Sequence, residues 1–267
     1  MSLLQAIILG VVQGLTEFLP VSSSGHLVLG ESLLKIKLTD ISFEVFLHFG
    51  TLLAVTVYFR RKIWVMLKAV WLRVKIPYMR KESDQDWRLF WLIIIGSIPA
   101  GILGVLFKDI IEKSFTSVIF VSCMLLVTGL ILFLTRFFHP VKEKLNFWDT
   151  LIVGCAQAIA ILPGVSRSGS TISAGIFRRV EPGKAAEFSF LLSLPAVLGA
   201  SLLKLKDVLS QGDASLDLKT YLIGALVAFG VGYLSIRFLL QIIKKGKFQY
   251  FSYYCFAVGL LFLIFKL

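Results

Sequence analysis

Three stretches of this chain, residues 89–107, 114–135 and 248–265, contain no charged residue at all. A helix crossing the hydrocarbon core of a bilayer needs about 20 mostly apolar residues. Uncharged runs of that length, repeated along one chain, exclude a water-soluble fold. Composition agrees: 57% of the 267 residues are hydrophobic and 16% charged, where soluble domains average about 45–50% and about 25%. Disordered, fibrous and disulfide-scaffold classes fall with it. Cys123, Cys155 and Cys255 lie far apart inside apolar runs, so they read as core thiols, neither a disulfide framework nor a zinc site. The fold class expected is an all-α polytopic membrane protein, one integral membrane domain over residues 1–267. Met1 opens an apolar run with no basic leader and no small-residue cleavage site, so no removable signal peptide is expected.

Six segments are expected to span: 41–59, 89–107, 114–135, 188–203, 220–240 and 248–265. Two further apolar segments are interrupted. Residues 3–19 break at Pro20, ahead of Val21-Ser22-Ser23-Ser24-Gly25-His26; residues 150–162 break at Pro163-Gly164, ahead of Val165-Ser166-Arg167-Ser168-Gly169. Proline ends a helix by removing a donor and clashing with the preceding turn, and a polar run at membrane depth survives only inside protein or against a wet cavity. Both segments therefore read as re-entrant helix–loop–helix hairpins.

The two interruptions are also copies. Ile8-Leu9-Gly10-Val11-Val12-Gln13 aligns with Ile152-Val153-Gly154-Cys155-Ala156-Gln157, and the breaks align with one inserted glycine. Fainter pairs follow: Ile95-Gly96 with Ile223-Gly224, and Thr128-Gly129-Leu130 with Val258-Gly259-Leu260. The chain reads as a duplication, about 1–139 and 140–267. Each copy holds one hairpin and three spans, and an odd span count places the second copy upside down relative to the first.

Charge bears on that topology. The net charge is +12, from 28 Lys and Arg against 16 Asp and Glu. In a soluble protein such an excess suggests nucleic acid; here the basic residues gather between apolar segments, so no nucleic-acid partner is expected. The face receiving segments 60–88, 136–147, 177–187 and 241–249 carries 18 Lys and Arg, and the opposite face carries 8. Positive loops stay inside, so the 60–88 face is expected in the cytoplasm, with both termini outside. Anionic membrane lipids are expected partners of the basic side, and residues 63–74 form an amphipathic stretch suited to its surface.

Ionisable groups within apolar segments are costly and mark function by default. They are Glu17, His26, Glu44, His48, Arg167, Asp149 and Glu187. Gln13 and Glu17 share one helix face; the break then offers Ser22, Ser23, Ser24 and Gly25, and His26 opens the next helix. Helix N-termini favour phosphate, and Arg167 adds a planar cation that grips phosphate with paired hydrogen bonds. If the two tips meet, the set suits phosphoryl transfer, where positioning and charge stabilisation dominate. Other readings stand beside this one. Serines before a helix also act as caps, Glu17 is interfacial if its helix lies shallow, and His48 reads as a packing residue. Glu44 and Glu187 match in the repeat and lie near span starts.

At these residues the chain resembles the undecaprenyl-pyrophosphate phosphatases, also called bacitracin-resistance proteins. That family carries (E/Q)xxxE followed by Pro-x-Ser-Ser-x-Gly-His, present here from Gln13 through Glu17 to His26, and Pro-Gly-x-Ser-Arg-Ser-x-x-Thr, present from Pro163 to Thr171. Gln13 takes the amide alternative, which leaves Glu17 as the one acid of the first motif. The resemblance implies removal of the terminal phosphate from undecaprenyl pyrophosphate in a bacterial cell membrane, regenerating the lipid carrier for peptidoglycan synthesis and conferring bacitracin resistance. It also implies a divalent cation, Mg²⁺ or Ca²⁺, and a site open to the extracytoplasmic side. On that basis Ser23 is the expected nucleophile, Glu17 its base, His26 a leaving-group acid or a phosphate contact, and Arg167 the stabiliser of the transferring group. Gln13, Ser22, Ser24, Gly25, Ser166, Ser168 and Thr171 are the expected phosphate-binding set. One firm carboxylate makes a poor protein cage for a hard cation, so the ion is expected on Glu17 mostly through the substrate's phosphates and water. Water attack promoted by Glu17 is the mechanistic rival. A secondary transporter or anionic-lipid flippase is the rival class, because inverted repeats and broken helices serve transport equally well. A homodimer stays open.

Overall fold

The computed structural model describes residues 1–34, 41–75, 84–211 and 217–265. The helices run in the order α1 (Leu3–Phe18), α2 (Ser23–Leu34), α3 (Ile41–Tyr58), α4 (Arg60–Lys75), α5 (Asp84–Leu106) and α6 (Lys108–Ser114). After α7 (Val118–Leu134) come α8 (Phe147–Ile159), α9 (Arg167–Phe177), α10 (Pro182–Gln211), α11 (Leu218–Lys244) and α12 (Phe251–Phe265). Among the described residues there is no strand. One isolated bridge, Lys142 to Val180, ties the segment before α8 to the end of α9.

The bundle is inverted in polarity relative to a soluble protein. Leu106, Leu226 and Ile264 are exposed, while Gln13, Glu17, Ser122, Thr128 and Gln157 are buried. Helix association in lipid relies on close packing and internal hydrogen bonds because the solvent is as apolar as the side chains. The chain is a multi-pass membrane protein of the expected all-helical class. By length and hydropathy α5, α7, α10 and α11 can each cross a bilayer, and α3 with α4 counts as a fifth crossing if the bent pair is one span. The sequence predicts six, and the other two predicted segments, 41–59 and 248–265, are helical as well. The segment 41–59 forms α3, which turns through 75° into the basic helix α4 at its end, and 248–265 forms a short 3-10 turn followed by α12. Of the basic residues counted for topology, Lys35, Lys37, Arg80, Lys81 and Lys266 lie outside the described residues.

Small residues set the helix crossings. α1 runs alongside and parallel to α11: a Cβ at Gly10 would lie 2.7 Å from the Gly224 carbonyl oxygen, and one at Gly14 would meet Ala228 and Val231. α8 meets α5 at Gly154 and Gly96 in the same way, backbone against backbone. α7 and α12 cross antiparallel, Gly129 lying against Ser252 and Phe256, and Gly259 against Ser122 and Leu126. Any side chain at these glycines forces the helices apart, which is why small residues concentrate there.

Candidate active site

Both interruptions form helix, sharp turn, helix. α1 ends at Phe18, and Pro20 and Val21 lead to Ser22, whose φ of +68° is left-handed, a conformation that needs support from its surroundings in a residue with a Cβ. The support is local: the Gly25 amide donates to Ser22 Oγ at 3.2 Å and the His26 amide to the Ser22 carbonyl at 3.1 Å. The second break takes its left-handed residue at Gly164, φ +92°, where a Cβ would press on the Val121 carbonyl of α7. Ser166 then caps α9, accepting from the Gly169 amide at 3.0 Å.

The two tips touch. Arg167 Nη2 donates to Glu17 Oε1 at 2.6 Å, across 150 residues of sequence. Ser168 Oγ donates to the Leu19 carbonyl at 3.2 Å, and a Cβ at Gly169 would lie 3.4 Å from Cβ of Pro20. Glu17 is the hub. Its side chain is 5% exposed, and its second oxygen, Oε2, accepts from Ser23 Oγ at 2.5 Å and Gln13 Nε2 at 3.0 Å. One carboxylate thus receives a guanidinium, a hydroxyl and an amide, the charged donor supplying the strongest bond.

His48 of α3 joins this cluster. Gln13 Nε2 donates to His48 Nδ1 at 3.2 Å, which puts the ring proton on Nε2, and Nε2 lies 3.5 Å from Glu44 Oε1. Nδ1 is 3.9 Å from Glu17 Oε2. The expectation that His48 only packs is therefore corrected: the ring orients the amide that orients the carboxylate. The sequence signal was there, since Glu44 and His48 stand four residues apart on one helix face inside an apolar segment.

The other expected residues fall into three groups. Ser22 and Ser166 act as helix caps, each 3.3 Å from its neighbour, Ser24 or Ser168. Ser168 and Thr171 are buried and engaged within the protein. Thr171 donates to the Arg167 carbonyl at 2.7 Å and contacts Ser189 Oγ at 2.5 Å. A Cβ at Gly25 would lie 3.2 Å from Cα of Gly164, a tight approach between the two tips. His26 turns away from the carboxylate: its Nδ1–H donates to the Ser22 carbonyl at 2.8 Å, and its Nε2 accepts from the Tyr254 hydroxyl at 2.7 Å. Its ring stacks on Tyr254, 5.6 Å between centroids. Asp149 belongs elsewhere, buried between Lys142 at 2.5 Å and Arg178 at 2.9 Å. Glu187 stands 3.6 Å from Lys184.

A hydroxyl beside a carboxylate, with a guanidinium on that carboxylate's other oxygen, is an arrangement that activates a nucleophile and receives an anion. Fold and site together define a multi-pass membrane protein with a polar, phosphate-suited centre between two broken helices. The family model described as Bacitracin resistance protein BacA matches residues 6–261. The undecaprenyl-diphosphatase of Desulforapulum autotrophicum is 45% identical over 273 residues, covering 99% of this chain and 98% of the relative. Those of Halothermothrix orenii and Methanobrevibacter smithii are 44% and 43% identical, covering 99% and 98% of this chain and 98% and 96% of theirs. The chain belongs to the bacitracin resistance protein BacA family.

Proposed function

We infer that this chain is a membrane phosphatase that removes the terminal phosphate of undecaprenyl pyrophosphate and so returns the lipid carrier to cell-wall synthesis, the activity that gives its family bacitracin resistance. The observation that carries the reaction class is the pair of bonds on Glu17, Ser23 on one oxygen and Arg167 on the other. In the reading proposed here, Ser23 Oγ attacks the terminal phosphorus as Glu17 takes its proton. The bond to the bridging oxygen breaks, and the lipid monophosphate leaves. Water then attacks the phosphoserine, inorganic phosphate departs, and the proton on Glu17 returns to Ser23. Arg167 uses one of its donors on Glu17, and the remaining N–H groups of its fork hold the phosphoryl oxygens. His26 contacts phosphate only by releasing Tyr254. Gln13 and His48 hold Glu17 in place. The amides at the start of α2 and α9 complete the anion site.

A divalent cation fits as a substrate-borne group. No cluster of three His, Cys, Asp or Glu residues suited to a metal occurs among the described residues. The buried Gln13 Oε1 has no partner and, with Glu17, gives two protein oxygens; pyrophosphate and water supply the rest of its shell. When bound, Mg²⁺ or Ca²⁺ neutralises pyrophosphate charge.

The same reading takes residues about 1–139 and 140–267 as inverted copies, each opening with a re-entrant hairpin. What supports it is the reuse of crossings: Gly10 on Gly224 against Gly154 on Gly96, and an α7–α12 contact in which Ser122 and Gly129 trade places with Ser252 and Gly259. The 18-to-8 split of basic residues supports termini and catalytic centre on the outer side. A homodimer remains part of the proposal with no contact assigned to it. One assay separates this enzyme from a transporter. Purified protein in neutral detergent, with no membrane gradient, releases inorganic phosphate from a prenyl pyrophosphate, and failure to do so under any divalent cation contradicts the reading.

A further inference from the structure

A second basic site lies apart from the hairpin tips. A cavity of about 400 Å³ is lined by Tyr58, Arg60, Arg61, Tyr233 and Arg237, a set holding three guanidinium groups, two phenols and no carboxylate. Among the described residues none of the three arginines forms an ion pair; Arg60 donates only to the Val57 carbonyl, at 3.2 Å. Three unneutralised cations around one cavity repel one another, and an anion relieves that repulsion. Guanidinium forks and tyrosine hydroxyls are donors matched to phosphate oxygens.

The position is distinct from the catalytic centre. α1 and α11 run parallel, with Phe18 beside Gly232, so Arg237 stands five residues, about 7.5 Å, further along α11. Ring contacts Phe18–Phe190 at 5.8 Å and Phe59–Phe190 at 5.9 Å lie between the helix bearing Glu17 and the bend bearing Arg60. The surroundings are apolar: Leu234 and Phe238, flanking on α11, are 63% and 53% exposed, and Trp64 on α4 is 70% exposed. A cation set beside exposed apolar side chains is where an acyl chain and its headgroup meet protein together.

We propose that the cavity formed by Tyr58, Arg60, Arg61, Tyr233 and Arg237 binds a phosphate group, carried by a membrane lipid or free in solution. Dihexanoyl phosphatidic acid and sodium phosphate are titrated separately into the purified full chain in neutral detergent, with binding followed by calorimetry. Arg237→Gln weakens binding about tenfold or more, as expected for loss of a charged hydrogen-bonding partner, while phosphatase turnover stays unchanged and reports an intact fold. Lys68→Gln, on the same helix as Arg60 but outside the cavity, leaves binding unchanged. If phosphatidic acid alone shows the Arg237-dependent binding, the ligand is a lipid headgroup; if sodium phosphate shows it equally, the ligand is free phosphate. Equal binding by wild type and Arg237→Gln for both probes overturns the proposal. So does a loss in Lys68→Gln as large as in Arg237→Gln, which would mark diffuse attraction.

Discussion

At the first break Ser22 caps α2 through the Gly25 amide and lies 3.3 Å from Ser24; at the second Ser166 caps α9 through Gly169 and lies 3.3 Å from Ser168. The cap bonds match, although the left-handed residue is Ser22 in the first break and Gly164 in the second. The side chains that the two hairpins present do not match. Between the paired serines one hairpin carries Ser23 and the other Arg167. On the preceding helices Gln13 has the matching Gln157, and Glu17 faces Ile161 in the alignment. Gln13 is bonded to Glu17 and His48, whereas both amide atoms of buried Gln157 lack partners. Backbone geometry and chemistry are thus separable here. The loop needs Ser-x-Ser-Gly to turn and start a helix, which leaves the x position free to become a nucleophile in one copy and a cation in the other.

The largest effect is expected at x of the first hairpin. Ser23→Ala removes the attacking oxygen without touching the cap, and turnover falls by about 10⁴-fold or more; acid-quenched wild type yields phosphoserine at position 23. Substantial activity in Ser23→Ala with no phosphoenzyme assigns the attack to water and makes the first hairpin only a base. At x of the second hairpin, Arg167→Lys keeps the charge and loses the planar fork, so kcat falls about 10²–10³-fold with little change in KM. A normal kcat breaks the division of labour. The smallest effect is expected away from both tips. His48→Ala leaves the reacting groups in place and loosens Gln13, costing about tenfold in kcat. His48→Gln, which keeps an acceptor for the amide, recovers part of it, and no recovery would assign His48 a packing role.

How much of this was legible depended on the kind of interaction. Glu17 and Arg167 stood out because a charge inside an apolar run has no cheap explanation, and the odd span count suggested opposed hairpins. Residues acting through tertiary contact were harder. His48 reaches the site because α3 packs on α1, and Tyr254 meets His26 from 228 residues away. Ser166, Ser168 and Thr171 are ambiguous in sequence for another reason: a cap, a tie between helices and a phosphate contact all call for the same hydroxyl near a helix start. Hydropathy marks where apolar residues lie and is blind to the 75° turn after Tyr58.

Everything proposed for the chemistry requires the two tips to meet in the membrane. A Cβ at position 169 would lie 3.4 Å from Cβ of Pro20, close to the separation of a disulfide. In a background with Cys123, Cys155 and Cys255 replaced by alanine, Pro20→Cys with Gly169→Cys is oxidised in native membranes and examined by mass spectrometry. An intramolecular cross-link in most of the protein is the expected result, absent from either single variant. If both single variants fold and the double variant stays reduced, or links only between molecules, the hairpins do not share a site.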